Sequence, residues 1–163
     1  MSVRLTPRGS KGSKRFDMPR GLKGIFAAIN LGFYRLIGRR IKIQGRPLLL
    51  LSTVGAKTGK RRQAPLAWFE DDPPRDGTWL VVASKGGSAS HPGWYVNLAR
   101  RPKDTTIEVN GETIAVEPES LSGAERERAW ARIVALSPGY GAYSVTTDRE
   151  IPVVRLKRRT AGA

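Results

Sequence analysis

The sequence predicts a mainly β fold with flanking helices, arranged as a small antiparallel barrel rather than a doubly wound parallel sheet. Three observations predict it. Five or six short apolar or aromatic runs, each bounded by turn residues, recur between residues 47 and 156. Asn110-Gly111 sits between two alternating segments, a strong two-residue hairpin signal. Helical periodicity is confined to three segments, too few to cross over between parallel strands throughout.

In chain order, residues 1–20 are rich in Gly, Ser, Pro, Lys and Arg with little apolar content, the composition of a disordered basic tail. Over residues 21–45 the chain predicts an amphipathic helix. Leu22, Ile25, Phe26, Ile29, Phe33, Leu36 and Ile37 fall three and four apart, which places them on one face. Asn30 and Arg35 interrupt the run, and it is shorter than the ~20 apolar residues that a membrane span needs. It therefore reads as a helix docked on its own domain or, with its basic neighbours, as one lying in a bilayer interface. Residues 46–158 form the barrel. Strands are expected over 47–54, 64–70, 78–83, 105–109, 112–116 and 151–156, and the Asn110-Gly111 turn sets Ile107 opposite Ile114. Two further helices are expected over 92–101, with Pro92 in the first turn, and 122–136, opened by the capping pattern Ser122-x-x-Glu125. Residues 137–143, Ser-Pro-Gly-Tyr-Gly-Ala-Tyr, read as a glycine-rich loop.

Composition narrows the chemistry. With 163 residues the chain can bury a substantial core. It has no cysteine, which removes disulfides and thiolate chemistry, and one histidine, His91, which removes histidine-rich metal sites and disfavours a Ser-His-Asp triad. An enzyme made of these residues needs a cofactor for the hard chemistry. The net charge of +15 is uneven: residues 1–62 carry 16 Lys and Arg against Asp17 alone, whereas residues 63–163 carry 13 basic and 13 acidic residues. A cationic front third suits a nucleic acid, an anionic membrane surface or an acidic cofactor, and does not choose among them. The first charges are not followed by the apolar core of a signal peptide, so the cytoplasm is the expected address.

Two stretches carry the chemistry. The run Leu48-Leu49-Leu50-Leu51 leads into Gly55-Ala56-Lys57-Thr58-Gly59-Lys60-Arg61-Arg62, and Leu80-Val81-Val82-Ala83 leads into Ser84-Lys85-Gly86-Gly87. Each is a buried strand opening into a glycine-bearing cationic turn, where backbone N–H groups and side-chain charge can meet phosphate or carboxylate. The first is not a Walker loop: three residues rather than four separate its glycines, and Arg61 follows Lys60. Alone, such a basic turn is as a rule a solvated hairpin. Beyond the second turn, Trp94, Asn97 and Arg101 recur at i, i+3 and i+7, presenting a ring, an amide and a charge; a buried Asn there needs partners, which a cofactor can supply. His91 reads as a helix-start residue. Tyr140 and Tyr143 pack on the barrel or line a pocket, where a phenol can hydrogen-bond a substrate or relay a proton.

The ordered motifs in residues 50–66, 82–87, 91–98, 138–140 and 147–154 resemble the deazaflavin-dependent nitroreductase and quinone reductase family, over about residues 22–157. The resemblance implies a split β-barrel binding reduced coenzyme F-420, which has a flavin-like ring, a phosphodiester and an oligoglutamate tail. It implies hydride transfer to an electron-poor acceptor such as a quinone, an activated nitro compound or an enone. By resemblance, Lys57, Thr58, Arg62 and Pro65 meet the phosphodiester side; Ala83, Ser84, Lys85 and Gly86 lie along the ring and linker; Trp94 and Asn97 complete the pocket. Ser84 positions the ring or acceptor, and Tyr140 and Tyr143 form the acceptor wall and deliver a proton. Nitroimidazole-activating members carry tyrosines where this chain has Ala67 and Ser137, which implies a reshaped acceptor pocket and weak nitro reduction. FMN is the alternative cofactor, because related split barrels use it. A non-catalytic deazaflavin carrier is the alternative function, and nucleic-acid binding ranks last, since residues 1–46 carry no recognised nucleic-acid motif. An anionic membrane surface, met by residues 1–40, is a further expected partner, with the protein peripheral on the inner face of the cell membrane.

Overall fold

The structure, a computed structural model, describes residues 2–14, 32, 34, 36 and 40–161. Six strands, β1 (Leu48–Val54), β2 (Arg61–Ala67), β3 (Thr78–Val82), β4 (Thr106–Val109), β5 (Glu112–Ser120) and β6 (Val153–Arg158), form one sheet in the order β2-β1-β4-β5-β6-β3. All neighbours are antiparallel. The sheet curls until Phe69, just beyond β2, exchanges both backbone hydrogen bonds with Leu80 of β3 at 2.9 Å each. That closure makes the expected split barrel. Three helices are complete among the described residues, α1 (Gly93–Arg100), α2 (Gly123–Leu136) and α3 (Gly139–Thr146), and residues 32, 34 and 36, within the expected N-terminal helix, are helical too.

Alternation explains which residues go where. In β3, Trp79 and Val81 point into the barrel with Leu49, Leu51, Tyr95, Leu98, Ile107 and Leu156, whereas Leu80 and Val82 point outward to Phe69, Ala129, Ile133 and Tyr140. Both faces of β3 are therefore covered, which is why its sequence is apolar without a break. Truncating a residue such as Leu51, fully buried, would cost ~2–5 kcal/mol. The β4–β5 hairpin has the expected register, Ile107 opposite Ile114, and both turn residues take the left-handed conformation, Asn110 at φ 51° and Gly111 at φ 80°.

Several boundaries differ from expectation. β2 begins at Arg61 because Arg61 and Arg62 pair with Val54 and Thr53, so residues 55–60 are a hairpin turn. β5 runs on through Pro118, which lies opposite Leu156, and the alternation of buried Ile114, Val116 and Pro118 carries the strand past the proline. Residues 139–146 are helical rather than a loop. Gly141 marks close helix packing there, since a Cβ would lie 3.1 Å from Val134 Cγ1 of α2. The capping box at Ser122 does not form: its side chain makes no cap bond, and Glu125 Oε1 instead accepts from Arg155 Nη2 at 2.6 Å.

The predicted tail requires a larger correction. Residues 2–14 lie along the barrel instead of being disordered. Val3 is buried in the core, the Tyr95 hydroxyl donates to Arg4 O, Gly9 N–H donates to Ala89 O and Ser13 N–H to Gly87 O, both at 2.9 Å. Composition hid this because backbone groups and the lone buried apolar side chain of Val3 hold the arm. The rest of the tail, residues 15–20, and most of the predicted helix over 21–45 lie outside the described residues. Within that span, residues 43–46 form a tight turn rather than helix, with Ile43 and Arg46 bonded both ways at 3.0 and 2.9 Å. Arg46 is held below it, its guanidinium 5.0 Å from the Phe69 ring centroid.

The Arg155 guanidinium is buried among acids. It grips Asp71 with Nε and Nη2 at 2.6 and 3.0 Å and reaches Glu119 and Glu125. Burial pushes the Asp71 carboxyl up, but the bonds and charge of Arg155 outweigh it, and the net shift is downward. This cluster ties β6 to the segment after β2 and to α2, away from the cavities described next.

Candidate active site

Two cavities meet along β2 and α1. The larger, of about 1130 Å³, lies between the hairpin turn after β1 and the outer face of α1, bordered by Lys57, Thr58, Arg62, Trp94, Asn97 and Arg100. The smaller, of about 250 Å³, is lined by Pro65, Ala67, Ser84, Lys85, Gly86 and Trp94, with Gln44, Tyr140 and Tyr143 completing its wall. Arg62 and Ala64 border the first and Pro65 and Ala67 the second, so β2 runs past both. Trp94 belongs to both, and its indole stands at the junction.

The turn over residues 55–60 is held by Gly55 N–H to Lys60 O at 2.8 Å and Gly59 N–H to Gly55 O at 2.9 Å. A Cβ at position 55 would come within 2.8 Å of Thr58 Oγ1, and Gly59 has φ 70°, so both glycines are needed for the fold of the turn. Asn97 fastens it to α1: Oδ1 accepts from Ala56 N–H at 2.9 Å and Nδ2–H donates to Thr53 Oγ1 at 3.1 Å. The side chains of Lys57 and Thr58 on this turn and of Arg62 in β2 beside it are exposed. No carboxylate lines the groove among the described residues.

The second turn is built differently. Lys85, Gly86 and Gly87 all take positive φ, at 44°, 60° and 79°. Arg149, buried, inserts beneath them: Nε–H donates to Ser88 O at 2.7 Å, while Nη2–H donates to Ser84 O at 2.9 Å and Ala83 O at 3.1 Å. Burial lowers its pKa, with the Tyr95 phenol acting weakly the other way. Five donors in a planar fork suit an array of carbonyls, which a lysine could not match. A Cβ on Gly87 would lie 3.0 Å from Tyr143 O, so the turn also sits hard against α3. Lys85 Nζ–H donates to Ser90 Oγ at 2.6 Å, which directs the ammonium along the turn.

Tyr140 is buried, edge-on to Phe69 with centroids 5.6 Å apart. Burial first, and the neighbouring Tyr143 second, push its phenol up to about 12. That makes Tyr140 a wall and a poor proton donor. Tyr143 is half-buried and 5.7 Å from Tyr140 centroid to centroid; its hydroxyl accepts from Gln44 Nε2–H at 3.2 Å.

A family model described as F420H(2)-dependent quinone reductase matches residues 30–158. The chain belongs to that family. It is 39% identical over 135 residues to the F420H(2)-dependent quinone reductase Rv1261c of Mycobacterium tuberculosis, covering 81% of this chain and 87% of the relative. It is 37% identical to the putative F420H(2)-dependent quinone reductase Rv3178 of the same species, covering 69% and 91%. Among solved structures, the F420-H2 dependent reductase FDR-A superposes with a TM-score of 0.59 at 37% identity, over 69% of this chain and 95% of that one.

The donor set fits such a cofactor. A groove that carries Lys57, Arg62 and Arg100 and no carboxylate among the described residues suits a phosphodiester and oligoglutamate, and the indole at the junction suits a flat ring. The structure brings most of the predicted residues together. Lys57, Thr58, Arg62, Trp94 and Asn97 border the groove; Pro65, Ser84, Lys85, Gly86, Tyr140 and Tyr143 border the smaller pocket. Ala83 is placed elsewhere: it is fully buried, with its N–H spent on Pro152 O and its carbonyl on Arg149. Asn97 is at the groove, but its amide is already bonded to protein, so it positions the turn. Arg101 gives way to Arg100 because α1 ends there and Arg101, at φ −137°, leaves the helical phase. Ser137 is not an acceptor wall; it is buried, and Oγ–H donates to Gln44 O at 2.9 Å. His91 faces the N-terminal arm, Nε2–H donating to Thr6 O at 2.7 Å; burial lowers its pKa. Arg149 and Gln44 were missed. Arg149 lies in the Thr147-Asp148-Arg149 motif, where an arginine at a strand entrance was the available signal; nothing local marks Gln44.

Proposed function

We propose that this protein transfers a hydride from reduced coenzyme F-420 to a quinone, with the coenzyme's anionic arm in the larger groove and the acceptor in the smaller pocket. One observation carries the reading: a cationic groove, free of carboxylates among the described residues, and a small pocket meet at one indole, as donor and acceptor must meet for direct transfer. When bound, the coenzyme supplies the hydride, and a proton completes the quinol. The chain's own residues do the rest. Lys57, Arg62 and Arg100 attract and hold the anions. Trp94 bounds the ring plane at the junction. Ser84, held in place through Arg149, offers a hydroxyl to the ring or acceptor. Tyr140 and Pro65 keep water from the reacting faces, and Tyr143 is the phenol within reach of an acceptor oxygen.

Ala67 stands where nitroimidazole-activating relatives carry tyrosine, and its small side chain leaves space in the pocket for a quinone headgroup. Weak reduction of nitroimidazole prodrugs goes with that reading. Peripheral membrane contact does as well: Ile43, 42% exposed, lines the pocket beside exposed Arg40, and Lys42 flanks it, which suits an acceptor drawn from an anionic bilayer. No helix among the described residues is long and apolar enough to cross a membrane.

Titration with F-420 and with FMN, followed by oxidation of bound reduced F-420 on adding a menaquinone analogue, tests the reading. F-420 should bind more tightly than FMN and lose affinity with salt, and oxidation should require the acceptor. Tighter FMN binding, or acceptor-independent oxidation, would refute it.

A further inference from the structure

The residues 43–46 turn is an odd place for glutamine. Its two central residues, Gln44 at φ 51° and Gly45 at φ 76°, are those of a hairpin turn that favours Asn-Gly. A glutamine in the left-handed region gains nothing from the backbone and has to be held there by its surroundings.

Three residues in and just before α3 do so. The Ser137 hydroxyl donates to Gln44 O at 2.9 Å. Gly139 leaves the space its carboxamide occupies, since a Cβ there would lie 2.3 Å from Gln44 Oε1. Tyr143 Oη accepts from Gln44 Nε2–H at 3.2 Å. Oε1 itself is buried with no hydrogen-bond partner among the described residues. A buried unpaired acceptor is costly, and the molecule retains it in this orientation. The amide is thus directed with its N–H toward the phenol.

That direction has a chemical consequence. A phenol whose oxygen already accepts a hydrogen bond has its own hydrogen left to give. We infer that Gln44 is a positioning residue for the acceptor half-reaction: by donating to Tyr143 Oη, it commits the Tyr143 hydroxyl to donate into the pocket, toward the carbonyl oxygen of the acceptor. Tyr140 cannot substitute, being buried edge-on between Phe69 and Tyr143. The inference rests on the quinone reading above and adds the residue that sets the polarity of the acceptor site.

The test uses Gln44→Leu, Gln44→Glu, Tyr143→Phe and the double variant Gln44→Leu/Tyr143→Phe in the full chain. Gln44→Leu and Tyr143→Phe should each lower kcat for a menaquinone analogue about tenfold, roughly 1.4 kcal/mol. The F-420 dissociation constant should stay within twofold, because Gln44 does not border the larger groove. The double variant should lose no more than either single one, since Gln44 acts through Tyr143. In Gln44→Glu a carboxylate accepts the phenol's hydrogen and turns it away from the pocket. The protonated acid donates as the amide does, so kcat should rise as pH falls through the carboxyl's titration, a limb the wild type lacks. In the cofactor-free protein, the Tyr143 13Cζ resonance should move in Gln44→Leu while that of Tyr140 stays. Additive losses, a Gln44→Glu profile parallel to wild type, or an unmoved Tyr143 resonance would overturn the inference. If the wild type bound F-420 but reduced no quinone, the functional reading would fall on its own, and the resonance measurement would still decide whether Gln44 orients the phenol.

Discussion

The two glycine turns that border the cavities look alike in sequence and are built in opposite ways. The turn over residues 55–60 presents exposed side chains and is fastened to the body chiefly through Asn97. The turn over residues 84–88 has two half-buried and three buried residues; its carbonyls are held from below by Arg149, and the arm of residues 2–14 crosses it. On the proposed reading, the first selects by charge, which needs no fixed angle because Coulomb attraction depends on distance alone. The second selects by shape, and shape requires that every backbone group be held. A flexible anionic tail and a rigid ring need these two kinds of grip.

That contrast can be broken first at Arg149. Arg149→Ala strands three buried carbonyls and should cost ~3–5 kcal/mol of stability, with turnover down about a hundredfold. Arg149→Lys should recover little of either, as read by thermal melts and F-420-linked quinone reduction. Equal rescue by lysine would mean that charge rather than the fork matters. Next, Gly87→Ala forces a side chain into φ 79° and against Tyr143 O, and should cost ~1–3 kcal/mol in urea unfolding. At the other turn, Lys57→Ala with Arg62→Ala should leave the melting temperature nearly unchanged but weaken F-420 about tenfold or more at low salt, the deficit shrinking as salt rises. A salt-independent deficit would contradict selection by charge.

The smallest effect concerns the arm. Asp148 accepts from Ser10 Oγ, from Ser10 N–H at 2.8 Å and from Lys11 N–H at 2.9 Å, and these bonds, the Ser10 hydroxyl foremost, hold its carboxyl below the ordinary value. A depressed carboxyl stabilises the folded state above the unfolded-state pKa, near ~3.9, and that contribution disappears as pH falls through the folded value. The Ser10 and Lys11 amide resonances should therefore hold their positions at neutral pH and move together only below the usual aspartate range. Movement near neutrality would place the attachment elsewhere.

How much of this was legible can be judged residue by residue. Ile107 opposite Ile114, the β3 run and the residues around Lys57 and Ser84 were readable because hairpin chemistry, burial on two faces and clustered charge leave local marks. The arm is illegible in the sequence because its composition is that of a disordered segment, and its Val3 anchor and its backbone bonds to residues 87 and 89 leave no periodicity. Gly139 and Gly141 read as a loop because glycine is ambiguous between freedom and close packing. Asn97 looked like a ligand because a buried amide needs partners, and only the fold showed that Thr53 and Ala56 supply them.

The sequence by itself determined the mainly β class, the hairpin register, the family, and the cationic turns that suit an anionic coenzyme. These are properties of neighbours in the chain: alternation, turn chemistry, ordered motifs and charge density. Only the tertiary structure decided that Arg149 supports the second turn, that Gln44 donates to Tyr143, and that groove and pocket meet at Trp94. Each of those joins residues about 40 to 100 positions apart, and barrel closure rather than local preference brings them within hydrogen-bonding reach.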